Sequence, residues 1–241
     1  MPPWLGYEYQ DALITNLTTD NTATFHHLEG DIDSAPDPGI TADLHEPSYY
    51  SYYPFPRPLP APTHHTDDPT VLAAYSRLSD VLASDGPFDG LLGFSAGGTL
   101  TAGFLIHHAK TYPDAPPPVR CAVFINRQPF RMDVRGFSFP VERGGGGVEV
   151  KGEIVVEDGL RGYITIPTVC IAGRQDPLLE YLRMLYEVCG AGPAGLVGSN
   201  SGSSTRVVVH ERGHEVPNDL GGVALMAGAI RRLAVQVPLE G

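Results

Sequence analysis

Short apolar runs alternate with stretches of helical spacing along much of this chain. Residues 121–126 (CAVFIN), 166–172 (IPTVCIA) and 205–210 (TRVVVH) are compact and rich in β-branched side chains. That composition predicts strands covered on both faces, which read as continuous apolar runs rather than alternating ones. Leu91, Leu92 and Phe94 mark a further strand. Between the strands the period changes. Val71, Ala74/Tyr75, Leu78 and Val81/Leu82 form one helical face, opened by Asp68-Pro69 as N-cap and first-turn proline and closed by Gly86-Pro87. Leu178, Leu182, Leu185 and Val188/Cys189 predict a helix over 176–189, and Leu225, Ile230, Leu233 and Val237 predict another over about 220–236. Tyr9, Leu13 and Leu17 begin a helix-like stretch close to Met1. Strands alternating with helices make βαβ units, so the expected fold is α/β, a mostly parallel sheet flanked by helices in a single domain over 1–241.

Three segments break this rhythm. Residues 46–62 are rich in Tyr and Pro and predict extended or polyproline chain. Residues 132–164 contain Gly144–Gly147 and a hairpin-like VEVKGEIVVEDG, an insertion expected to act as a lid. Residues 190–204 (GAGPAGLVGSNSGSS) have the composition of a flexible loop.

Charge narrows the partners. Sixteen Lys and Arg against 28 Asp and Glu leave a net charge of −12. Neither nucleic acid nor an anionic membrane surface suits such a protein. Cys121, Cys170 and Cys189 are widely spaced and odd in number, which gives no disulfide framework and no CxxC metal pair. The first residues, MPPWLGYEYQ, lack the basic and apolar regions of a signal peptide. A soluble, reducing, cytoplasmic location is therefore expected.

The chemistry gathers at three strand ends. Gly93-Phe94-Ser95-Ala96-Gly97 fits GxSxG, weak alone but here preceded by an apolar strand and followed by a small-residue helix start. That is the strand–turn–helix of a nucleophile elbow. Glycines flank the serine because its backbone is strained and neighbouring chain passes close by. The helix start places the Ala96 N–H where an oxyanion would form. Asp176 follows the strand 166–172, and His214 lies in the loop after 205–210. The order Ser, Asp, His is that of α/β-hydrolases. His210 competes with His214 as base, but it stands within the strand run, whereas Gly213 gives His214 the freer loop.

FDGLLGFSAGG, IPTVCIAGRQD and the GHEVP segment resemble the fungal serine hydrolase family that includes the yeast FSH proteins and a human ovarian-tumour-associated hydrolase. Phe25-His-His-Leu-Glu-Gly-Asp, Ala35-Pro-Asp-Pro-Gly and PSYYSYY are similar to that family's region ahead of the nucleophile. The resemblance implies an α/β-hydrolase core with Ser95 as nucleophile, His214 as general base and Asp176 orienting the histidine. It also implies an apolar acyl ester or thioester substrate, free or carried on a protein, as for esterases and thioesterases of polyketide pathways. Such a reaction needs no metal or organic cofactor.

One departure stands out. The family places a strand and a His-Gly loop, donor of one oxyanion N–H, ahead of its first helix. Only MPPWLGYE precedes the helix-like stretch here. Losing one such donor costs about 10²–10³ in rate. The expectation is a chain truncated at its N-terminus, or one whose reaction is altered. A repurposed non-hydrolytic enzyme and a catalytically silent binding protein thus stay open beside the hydrolase.

The remaining signals carry less. Phe94, Tyr49, Tyr50, Tyr52, Tyr53 and Phe55 could wall an acyl pocket, though a Tyr/Pro crossing packed on the sheet edge fits equally well. His64-His65 with Asp67-Asp68 reads as a solvated loop and helix cap rather than a metal site. His107-His108 suits a helix C-terminus. Gly144–Gly147 lacks the lysine and hydroxyl residue of a phosphate loop.

Overall fold

The computed structural model describes residues 5–34, 49–53, 69–126, 162–179, 185–186, 188–189 and 205–237. Their main feature is a four-stranded parallel sheet in the order β3-β4-β5-β6, formed by Gly90–Phe94, Cys121–Ile125, Thr168–Gly173 and Thr205–His210. The last three strands coincide with the predicted apolar runs to within two residues at each end. The register pairs Gly93 with Phe124, Phe124 with Cys170 and Cys170 with Val207. A separate antiparallel pair joins β1 (Ile32–Ser34) to β2 (Tyr49–Ser51).

Strand alternation sends successive side chains to opposite faces, and each face has its own core. On one, Ala122, Phe124, Cys170 and Ala172 pack with α2 (Pro69–Ser84) and α3 (Ala96–Thr111), through Val71, Tyr75, Leu78, Leu100 and Phe104. On the other, Val123, Ile125, Val169 and Ile171 pack with α1 (Leu5–Thr19) and α4 (Leu220–Gln236), through Leu13, Leu17, Met226, Ile230 and Leu233. The two-sided burial explains why β4 and β5 are apolar at nearly every position. An exposed tie closes the second layer: Arg231 Nε donates to Asp20 Oδ2 at 2.6 Å, and its Nη2 donates to Asn16 Oδ1 at 2.7 Å.

Several expectations are sharpened. α2 begins at Pro69, as the proline signal requires, and buries Val71, Ala74, Tyr75 and Leu78. α4 has the predicted span, but its buried face runs through Val223, Met226, Ala227, Ala229, Ile230 and Leu233. Leu225 is exposed, one residue off that stripe. The predicted helix over 176–189 is described only at its ends: a turn follows Asp176, and 185, 186 and 188 are helical. β1 was not expected from the residue pattern, because three residues are too few to establish a period.

Cys170 and Cys189 are buried free thiols, while Cys121 is half-buried, its thiol pushed up by burial. No helix among the described residues is long and apolar enough to cross a membrane. Residues 132–161 of the proposed 132–164 lid, the loop at 190–204, Phe55 and the His64/Asp68 cluster lie outside the described residues, as do the residues ahead of α1.

Candidate active site

Ser95 sits in the turn between β3 and α3 with φ 49° and ψ −115°. A non-glycine residue there is strained by about 1–3 kcal/mol, so the surroundings must hold it. They do so on both sides. The Ser95 N–H donates to Ile125 O at 2.9 Å, tying the turn to the end of β4, and Thr99 N–H returns to Ser95 O at 3.1 Å. A Cβ at Gly93 would lie 2.4 Å from Gly97 O, so the strand can meet the helix this closely only as glycine. The Ala96 N–H opens α3 with no carbonyl four residues back inside the helix to bond, and Ala96 is exposed.

The other two groups come from the far side of the sheet. Asp176 follows β5 in a turn closed by its own N–H to Gly173 O at 3.1 Å and by Leu179 N–H to Asp176 O at 3.0 Å. His214 follows β6. The two loops are laced together by Arg174 N–H to His210 O at 2.7 Å and Gln175 N–H to Arg212 O at 3.0 Å. They also touch directly, since a Cβ at Gly173 would meet Gly213 O at 2.1 Å. Outside this contact Arg174 pairs with Glu211 at 2.9 Å, both exposed.

These loops bring the three predicted residues into one line. Ser95 Oγ lies 2.9 Å from His214 Nε2, and His214 Nδ1 lies 2.9 Å from Asp176 Oδ2. The Asp176 side chain is 1% exposed, against 27% for His214. Its second oxygen, Oδ1, accepts Leu178 N–H at 2.8 Å, which leaves Oδ2 aimed at the ring. A buried carboxylate acceptor selects the tautomer with the proton on Nδ1, so Nε2 presents a lone pair to the serine hydroxyl. Such a line can accept the serine proton and hold it on the imidazole while charge develops elsewhere.

His210 is not in that line. It is buried, its Nδ1 accepts Arg212 N–H at 3.2 Å, and its Nε2 has no partner among the described residues. Burial holds its imidazole below the ordinary histidine range. His107 and His108 fall in the last two turns of α3, their rings in tilted contact with Tyr75 and Tyr112. Phe94 places its ring 5.6 Å from that of His214 and packs on the α1/α4 core. Of the tyrosines, Tyr53 is buried in the α2/α3 core, Tyr49 is half-buried and Tyr50 is 41% exposed.

Two further neighbours complete the surroundings: Tyr52, from the expected aromatic segment, and Asn126, which the sequence reading did not single out. Tyr52, whose hydroxyl donates to Leu28 O at 2.9 Å, stands over the elbow: a Cβ at Gly97 would have that oxygen as its nearest neighbour, at 3.9 Å. Asn126 follows β4 immediately and is 1% exposed. A polar residue ending an apolar strand at the carboxyl edge was the signal that could have found it. A cavity of about 10 Å³, lined by Asn126, Asp176, Phe124 and Leu185 among others, adjoins the carboxylate. It has room for roughly one water and none for an acyl chain.

The model of the family described as "Serine hydrolase (FSH1)" matches residues 8–223. Hydrolase phiM of Talaromyces stipitatus is 34% identical over 211 residues, covering 86% of this chain and 73% of the relative. A second hydrolase phiM, from another fungus, is 29% identical over 94% of this chain and 87% of its own length. Esterase FPY3 of Fusarium mangiferae is 28% identical, with 86% and 79% covered. With a parallel sheet, an elbow serine and a matched span running from α1 into α4, the chain belongs to the FSH1 serine hydrolase family and has its α/β-hydrolase fold.

Proposed function

We propose that this protein hydrolyses a carboxylic ester or thioester through an acyl-enzyme on Ser95. The observation that carries the reading is the unbroken line Ser95–His214–Asp176, two contacts of 2.9 Å across three separate strand ends. Ser95 Oγ attacks the acyl carbonyl as its proton passes to His214 Nε2. Asp176, desolvated and already bonded to Leu178 N–H, fixes the ring through Nδ1 and stabilises the imidazolium. The Ala96 N–H, at the positive end of α3, binds the developing oxyanion. His214 then returns the proton to the leaving oxygen or sulfur. It next activates the water that releases the acid and frees Ser95.

The names of the relatives, hydrolase and esterase, favour an acyl substrate. Phe94 beside the imidazole and the Tyr49–Tyr53 segment supply aromatic surface, which suits an apolar acyl group such as a polyketide thioester of secondary metabolism. Labelling of the purified chain with a fluorophosphonate, followed by peptide mapping, tests the mechanism. A stoichiometric adduct on Ser95 that is lost in Ser95→Ala and His214→Ala is expected. Absence of any adduct on the folded protein would sink it. Parallel assays with p-nitrophenyl acyl esters and N-acetylcysteamine acyl thioesters then separate the two substrate classes.

A further inference from the structure

Asn126 makes more long-range contacts than any role in covering the core requires. Its Oδ1 accepts Gly173 N–H at 2.9 Å, three residues ahead of Asp176. Its Nδ2 donates to Glu215 O at 2.8 Å and lies 3.3 Å from Gly213 O, the residues on either side of His214. Only this orientation of the amide serves all three partners, because an N–H lies on one side and two carbonyls on the other. The main chain adds two more ties. Asn126 N–H donates to Ile171 O at 2.8 Å, and the preceding carbonyl, Ile125 O, receives the Ser95 N–H.

The dipeptide Ile125-Asn126 is therefore the point where the serine turn, the aspartate loop and the histidine loop meet. Asn126 adopts φ 43°, a conformation that Asn tolerates and that branched or bulky residues avoid. In that conformation its side chain reaches both loops of the β5/β6 side.

We infer that Asn126 is a positioning residue, which sets the His214–Asp176 geometry by holding both loops through one buried amide. The inference rests on the serine-hydrolase reading for its effect on rate, but its geometric content does not. Without the amide, the His214 loop keeps its main-chain bonds to β5 yet loses its anchors on both sides of the imidazole. A displacement of about 1 Å in such a ring costs roughly 10²-fold in rate.

The test uses the full chain with Asn126→Gly, which relieves the left-handed backbone while removing the amide. Asn126→Asp accompanies it, keeping the acceptor for Gly173 N–H but turning an oxygen toward the two carbonyls. Ring ¹⁵N shifts of His214 at neutral pH read the tautomer directly. The wild type should show a protonated Nδ1 and an unprotonated Nε2, and both variants a ring averaged between tautomers. Fluorophosphonate labelling should slow about 10²-fold, with kcat for ester hydrolysis falling and KM little changed. A purely structural role would lower the melting temperature and leave the tautomer of the folded fraction intact.

A folded variant with the wild-type ring shifts overturns the inference, as does a wild-type ring that is already averaged. Should Asn126→Gly fail to fold, the Asn126→Asp spectrum decides alone. If wild-type Ser95 does not label, the hydrolase reading fails, and the ring shifts still decide the role of Asn126.

Discussion

The two halves of the candidate active site are held in different ways. Ser95 is fixed by its own neighbourhood: Gly93 touches Gly97, Thr99 N–H returns to Ser95 O, and one long-range bond reaches Ile125. The strain at φ 49° is contained within a turn and the first turn of a helix. Asp176 and His214 are 38 residues apart and share no such local motif. Their loops are held by each other and by Asn126, through contacts that span 36 to 89 residues. One half of the site is a local conformation, and the other is a property of the assembled sheet edge.

The comparison can be broken most severely at its hydrogen-bond line. Asp176→Asn keeps the shape but offers the ring an amide, which favours the wrong tautomer. Turnover should fall by about 10⁴-fold with little change in fold, measured as kcat beside a circular-dichroism melt. A loss of less than tenfold would show that the buried carboxylate does not orient His214.

Glycine substitutions sharpen the contrast. A methyl at Gly93 meets main chain of the elbow, and a methyl at Gly173 meets main chain of the histidine loop. Each should cost about 1–3 kcal/mol or more in unfolding free energy. They should differ in what else they disturb. Gly93→Ala should abolish Ser95 labelling while leaving the His214 ring shifts intact, and Gly173→Ala should move those shifts first. Equal effects on both readouts would mean the halves are not separable.

The buried His210 adds a pH dependence to the second half. Desolvation, the main cause, lowers its folded pKa below the unfolded value near 6.5. Above that unfolded value neither state binds the proton, and the stability contribution is complete. As pH falls below it the unfolded chain protonates first, so stability falls until the folded histidine also takes a proton. The urea midpoint should therefore drop between pH 7 and pH 5 more steeply in the wild type than in His210→Gln. Parallel curves would remove His210 from the account. Smallest is Arg174→Ala, which breaks an exposed pair with Glu211 and should cost less than about 1 kcal/mol in the same unfolding assay.

How much of this was legible beforehand follows the same division. The elbow could be read because its motif lies within five consecutive residues, Gly93 to Gly97. Asp176 and His214 could be placed because each follows an apolar strand, and because the order Ser, Asp, His is that of α/β-hydrolases. β4, β5 and β6 were visible as runs because both of their faces are covered. Asn126 was not singled out, since nothing near it in sequence hints that its partners lie at 173, 213 and 215. Leu225 misled because leucine at helical spacing looks buried, whereas Met226 and Ala227 face the sheet. β1 was too short to declare itself.

The tie between Arg231 and Asp20 joins residues 211 positions apart. Contacts at such separation form only after the intervening polypeptide has collapsed, because closing so long a loop costs more entropy than any local pairing. The layer that covers Val123, Ile125, Val169 and Ile171 is therefore expected to be completed late, when α1 docks beside α4. Until then one face of the central strands stays open to water and to other chains. During biosynthesis α1 is made before its partner α4, so the growing chain is expected to pass through a stage in which that face of the sheet is uncovered. Weakening the docked helix, as Leu17→Ala would, should thus act chiefly on how fast the finished protein comes apart and little on how fast it first assembles.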